Sequence, residues 1–235
     1  MNNEMILLLS IPLIYGSVIL AYWFFDISGL YGWTVFCTVT ANIEVLLLID
    51  AFGMEQTLGN ILFASSFLVT DIISEIGGKR QAAKAVNLGI GTSLCFIIIS
   101  QLWLLYTPSA NDWASPAFHM LFSNTPRILC ASLLVYAISQ KFDVWAYHKW
   151  WTFTTKHFGD AHRFLWLRNN GSTLISQLLN TLLYTFGAFG GLYEMPVLLN
   201  ICASSYVIFI FTSLLDTPFV YLARYMKEYK NKNTF

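Results

Sequence analysis

A chain of 235 residues with zero net charge and only 11% charged residues carries less than half the roughly 25% charge of ordinary soluble domains. With 56% hydrophobic residues and a mean hydropathy of +0.58, this composition excludes a water-soluble globular protein. The balanced charge excludes nucleic-acid binding through bulk electrostatics, so the composition indicates an integral membrane protein.

A membrane-spanning helix needs about 20 mostly apolar residues. Seven candidate runs follow one another: 5–25, 30–49, 58–73, 86–106, 128–139, 174–192 and 197–222. The predicted fold is an all-α polytopic helix bundle with about seven transmembrane helices, forming a single membrane domain over 1–235. The opening MNNEM lacks the basic region of a signal peptide, so the first run is read as a helix of the mature protein.

The second run carries Asn42 and Glu44. The third reaches full length only if it takes in TDIISEIGGKR (70–80), which places Asp71, Glu75 and Lys79 at i, i+4 and i+8. Glu75 can then pair with Lys79 at the helix end. Asp71 lies one turn deeper without a basic neighbour, and must find hydrogen bonds on another helix or a ligand. Gly77-Gly78 ends the helix and turns it into a basic loop.

Before the fifth run, SNTPRILC reads as a helix start, with Thr125 as N-cap and Pro126 in the first turn. Arg127 follows, either reaching out to the interface or meeting an inward acid or the substrate. The segment 141–168 contains Trp145, Trp150, Trp151 and Trp166 and is expected to lie as an amphipathic stretch at the membrane interface.

In the sixth run, at 100° per residue, Thr173, Ser176, Gln177, Asn180, Thr181 and Tyr184 share one face. Leucines, Ile175 and Phe186 take the other. One hydroxyl could serve helix packing, but a Gln and an Asn on one stripe favour a cavity. In the seventh run Ser205, Thr212 and Asp216 share a face, and Pro218 frees a carbonyl near the acid. Asp216 either joins that interior or pairs with Arg224 at the membrane edge. Cys37, Cys95, Cys130 and Cys202 lie in apolar runs without CxxC spacing, so they read as small buried hydrophobes, with no disulfide framework and no metal site.

All basic residues but Arg127 fall into three groups: 79–84, 141–168 and the tail from Arg224. The positive-inside rule puts these groups in the cytoplasm. The C-terminus is then cytoplasmic and the N-terminus outside.

TDIISEIGGKR, PRILCASLLVYAISQKFDVWAYHK, WLRNNGSTLISQLLNTLLY and LLDTPFVYL together resemble the queuosine precursor transporter family of bacterial membrane proteins, over roughly 41–224. The resemblance implies a fold of about six membrane helices in the bacterial inner membrane and import of queuine or its 7-deazaguanine precursors for tRNA modification. Three features depart from the family's pattern. Gly77 stands where Tyr is common, Asn180 where Asp is common, and the first helix is additional.

The implied partners are a small-molecule nucleobase and the lipid bilayer, with no cofactor and no nucleic acid; a homo-oligomer is compatible with this. The expected substrate-binding residues are Asn42, Asp71, Glu75, Arg127, Gln177, Asn180 and Asp216. Their carboxylates and amides suit the paired donors and the carbonyl of a guanine-like edge. The alternative is the substrate-binding subunit of an energy-coupling vitamin importer, which would need ATPase partners. An intramembrane enzyme is the weakest reading, since no HExxH, GxSxG or P-loop is present.

Overall fold

In the computed structural model, which describes residues 2–123, 126–160 and 163–233, the first two apolar runs form α1 (Asn3–Glu44), broken at Asp26 by a non-helical backbone of φ 53 and ψ −144. An unbroken helix of this length would extend about 63 Å. Yet Asn3 donates to the Asp50 carbonyl at 2.8 Å, and Glu4 accepts from the Phe52 N–H at 3.2 Å. The halves 3–25 and 27–44 therefore double back on one another. Gly29 permits the close return, because a Cβ there would lie 2.0 Å from the Ala21 carbonyl oxygen.

The second run stops being helical at Glu44, short of the predicted 49. The chain instead makes an antiparallel hairpin, β1 (Leu48–Ala51) and β2 (Met54–Thr57), with Ala51 opposite Met54. Its two turn residues, Phe52 (φ 55) and Gly53 (φ 71), are both left-handed, as a two-residue type I′ turn requires. Among the described residues this one small hairpin interrupts an otherwise all-α bundle.

Next come α2 (Gly59–Gly77) and α3 (Lys79–Trp103), separated by Gly78 alone, with φ 79. The expected basic loop is therefore a one-residue turn, and Lys79, Arg80 and Lys84 sit at the start of α3. Lys79 is not on the helix of Glu75, which overturns the predicted pair. The short α4 (Ser115–Ser123) is preceded by Asp112, which accepts from the Ala114 and Ser115 N–H groups and the Ser115 hydroxyl. The Ser115 hydroxyl first, then these N–H groups, hold that carboxyl below its ordinary value.

α5 (Pro126–Phe158) begins where the sequence predicts; Thr125, its expected cap, lies outside the described residues. It continues far beyond 139 because no Gly or Pro interrupts 127–158, and Gly159 (φ 71) ends it. The expected interfacial stretch is thus mostly the second half of this helix. Trp145, Trp150 and Trp151 belong to it, and Trp166 to α6 (Leu165–Phe189). α7 (Met195–Asn233) completes the bundle.

Among the described residues, four helices, Asn3–Glu44, Gly59–Gly77, Lys79–Trp103 and Met195–Lys232, are long and apolar enough to cross a membrane. α5 and α6 are more polar because they carry interior polar groups. α2 is the most enclosed helix, packed by α1, α3, α5 and α7. The outer surface is apolar, with Leu13, Phe24 and Phe211 all more than 60% exposed, as expected of a bundle solvated by lipid. Cys95 and Cys130 also lie on the outside, so only Cys37 and Cys202 are the buried hydrophobes predicted.

One end of the bundle collects the basic groups. Lys227 donates to the Ile76 carbonyl at 2.7 Å, stabilising the negative end of α2. Lys230 bonds Asp26 at 2.6 Å. The hairpin and the first residues of α1 lie at the opposite end.

The close return at Gly29 gives a direct test. Gly29→Ala should lower stability in detergent by about 1–3 kcal/mol through overpacking. Gly32→Ala, where an added Cβ meets nothing within 4 Å, should have a much smaller effect. Thermal unfolding of the two variants compares them, and equal melting temperatures would contradict the doubled-back α1.

Candidate functional site

The polar stripe of α6 faces inward. Thr173, Ser176, Gln177, Asn180 and Thr181 are buried, while Ile175, Leu178, Leu182 and Phe186 are exposed on the outer face. Its upper half borders a cavity of ≈ 420 Å³ at the hairpin end of the bundle, within the range of small-ligand pockets. Asn42 of α1, Asn60 and Ser66 of α2, Ser132 of α5, Asn180 and Tyr184 of α6 and Asn200 of α7 supply its polar wall. Gln56 and Thr57 of β2 also line it, so the hairpin forms part of its rim.

The cavity also has aromatic surface. Phe63, Tyr136 and Phe209 line it together, with ring centroids of Phe63 6.1 Å from Tyr136 and 6.3 Å from Phe209. A flat ring could stack there. Several buried polar atoms at this level have no hydrogen-bond partner among the described residues: Gln56 Nε2, Asn60 Nδ2, Tyr184 Oη and, just beneath, Gln177 Oε1. Such groups are rarely left unmet in a folded interior. Together they offer donors and acceptors to a ligand that carries both.

Of the predicted residues, Asn42 and Asn180 line the cavity directly. Asn42 donates to Thr38 O at 2.7 Å and accepts from Ser132 at 3.4 Å. Asn180 accepts from Ser139 at 3.5 Å. Gln177 is enclosed one turn below. A further turn down, Asp71 accepts from Thr173 at 2.8 Å, so its missing partner does come from another helix. The Arg127 side chain lies outside the described residues.

Asp216 meets Asn169 at 2.7 Å, not Arg224. Of the two alternatives for this acid the interior one holds, because α6 packs along α7 and presents an amide to it. Glu75 is not at the cavity at all. It is held on both carboxylate oxygens by Arg168 at 2.7 Å, accepts from Tyr147 at 2.8 Å, and lies 3.6 Å from Arg224. Arg168 is fully buried, stacks on Trp151 at 4.4 Å and donates to the Arg163 carbonyl at 3.2 Å. This knot of α2, α5, α6 and α7 closes the bundle at the basic end.

Several groups in the interior escape the sequence reading, Asn169 and Tyr147 among them. Arg168 and Asp143 fall in the segment read as interfacial, and Gln140 lies at its edge. Gln140 joins Ser66 at 2.7 Å and Thr70 at 3.1 Å, and Asp143 accepts from Ser176 at 2.9 Å. The signal was present: Arg168, Ser172, Ser176 and Asn180 repeat every four residues, extending the polar stripe of α6 downward.

Residues 57–223 match the family described as "Putative vitamin uptake transporter". The chain is 38% identical over 209 residues to a "Probable queuosine precursor transporter" of Bacillus subtilis (strain 168), covering 89% of each chain. It is 29% identical over 151 residues to a "Queuosine precursor transporter" of Escherichia coli (strain K12), covering 64% of this chain and 62% of the relative. No solved structure matches the chain.

The Glu75–Arg168 contact predicts a strongly non-additive response. Arg168→Met leaves a buried carboxylate unpaired and should cost about 3–5 kcal/mol, while adding Glu75→Gln should return part of that loss. A double-mutant cycle on chemical unfolding measures the coupling. Simple additivity would mean that the two side chains do not interact.

Proposed function

The chain belongs to the vitamin uptake transporter family, and from that premise we propose that it imports a queuosine precursor, queuine or a 7-deazaguanine relative, as a multi-pass carrier rather than an enzyme. The observation that carries the reading is the ≈ 420 Å³ cavity, where unpaired amide and hydroxyl groups lie beside an aromatic cluster. A deazaguanine is flat and offers N–H donors and a carbonyl along one edge. The amides supply both hydrogen-bonding types, and Phe63, Tyr136 or Phe209 the stacking surface.

Within this reading Asn42 and Asn180 touch the base first, with Gln177 beneath. Asp71 and Asp216 act deeper, and Glu75 serves the Arg168 knot. The two halves of α1, together with α2, α3, α5, α6 and α7, make seven spans of a single transport domain over 1–235. The basic end is cytoplasmic, with the C-terminus, and the N-terminus and hairpin are outside. The cavity then faces outward, and the Glu75–Arg168 knot is the closed inner barrier.

Two experiments test this. Uptake of labelled queuine by cells without their own import or synthesis should saturate. Gln177→Leu and Asn180→Leu should each raise the half-saturating concentration by about five- to a hundredfold, the cost of an unmet hydrogen bond of about 1–3 kcal/mol. Unchanged half-saturation in both would remove α6 from the binding surface.

Single cysteines on a cysteine-free background test orientation. Residues 79–84, 141–160 and 224–232 should resist an impermeant thiol reagent in intact cells, and a cysteine at Gly53 should react. The reverse pattern would overturn the orientation.

A further inference from the structure

Below the cavity the amides give way to acids, in an arrangement that packing does not explain. Asp71 of α2 and Asp143 of α5 are both fully enclosed, and their carboxyls lie within hydrogen-bonding reach of each other. One oxygen of each is served by a hydroxyl from α6, Thr173 on Asp71 Oδ2 and Ser176 on Asp143 Oδ1. The other two oxygens, Asp71 Oδ1 and Asp143 Oδ2, have no hydrogen-bond donor among the described residues, with the Ser172 hydroxyl of α6 also close to the Asp143 carboxyl. An ionised carboxylate has acceptors alone, so two facing carboxyls bond only when a proton lies between them.

The surrounding groups leave that requirement in place. Arg168 of α6 is engaged with both oxygens of Glu75, and Tyr147 of α5 donates to the same carboxylate. Asp216, the third acid facing the pair from α7, takes its donor from Asn169. Tyr15 of α1, beside Asp216, donates to the Thr212 carbonyl. Arg224 of α7 is with Glu75 and Glu228. Among the described residues no group of three or more His, Cys, Asp or Glu converges to hold a metal ion.

We propose that Asp71 and Asp143 form a binding site for one exchangeable proton, held between their carboxyls, and that substrate import is coupled to its movement. The inference rests on the import reading. The site sits between two barriers. On the cavity side stands Gln140, bonded to Ser66 of the cavity wall and to Thr70, the chain neighbour of Asp71. On the basic side stands the Glu75–Arg168 knot. Opening one barrier at a time lets water deliver the proton from outside and remove it inside. One carboxyl O–H bond forms and later breaks, and no other bond changes.

The test uses the purified protein in liposomes. Exchange of external labelled queuine for trapped unlabelled queuine, without a gradient, reads the substrate alone. An inward gradient of about two pH units should then drive accumulation, limited for one proton per substrate to about a hundredfold. A protonophore should abolish it, and replacing sodium by potassium should not change it. Asp143→Asn should accumulate no more than the gradient-free control. Infrared difference spectra over a pH titration need no substrate. They should show a protonated-carboxyl signal in the wild type that is missing from both Asp71→Asn and Asp143→Asn.

Wild-type exchange that no pH gradient drives uphill would overturn the proposal. So would a sodium requirement, or a carboxyl signal that survives in Asp143→Asn. Absence of wild-type exchange counts against the substrate reading instead, and the infrared titration then decides the proton site by itself. The gradient and sodium arms need no substitution, so a variant that misfolds does not remove the test.

Discussion

The fully buried Arg168 is the group on which the rest of this structure depends. A guanidinium in a lipid-surrounded bundle is tolerable only if it is paired and hydrogen-bonded, and here Glu75 receives it on both oxygens while Trp151 covers its face. Meeting those demands draws α2, α5, α6 and α7 to a common point. That convergence closes the basic end of the bundle. The opposite end holds the cavity, between α1, α2, α5, α6 and α7.

From that closed end outward the interior is layered by chemistry. The ion pair comes first, then Asp71, Asp143 and Asp216, then the amides Gln140 and Gln177, and finally the roomier cavity with Asn42, Asn180 and its aromatic wall. Hydroxyls of α2 and α6 serve these layers: Thr70 donates to Gln140, Thr173 to Asp71 and Ser176 to Asp143. These short side chains let the helices approach closely and satisfy neighbours without filling the space a ligand needs. The layering suits a carrier, which requires a wet side, a recognition zone and a sealed side that can exchange roles.

The outer surface follows the opposite logic. Where α6 turns Ile175, Leu178 and Leu182 outward, no polar group accompanies them. The N-terminal helix half, 3–25, packs its Tyr15, Val18 and Tyr22 onto the core and ties the hairpin through Asn3 and Glu4. It thereby steadies the rim of the cavity without contributing to its wall.

The sequence by itself determined the membrane setting, the helical runs and the inward face of α6, because these depend on composition and on the 3.6-residue period, which any single helix displays. It also showed that Asp71 must find a distant partner, since nothing within one turn could serve it. Tertiary structure alone decided which partner that was; it overturned the local pairing expected at Glu75 and chose the interior alternative for Asp216. A helix period reports neighbours three or four residues away, whereas Arg168 lies 93 residues from Glu75 and Asn169 47 from Asp216. The length of α5 misled for a related reason: its second half looks interfacial by its Lys and Trp content, but Asp143 and Tyr147 face inward. The hairpin stayed hidden because LLLIDAFGMEQT continues an apolar run, and Phe-Gly is a weaker turn signal than Asn-Gly or Asp-Gly. What holds that hairpin in place is α1 folding back so that Asn3 and Glu4 reach it, a contact between residues nearly fifty positions apart.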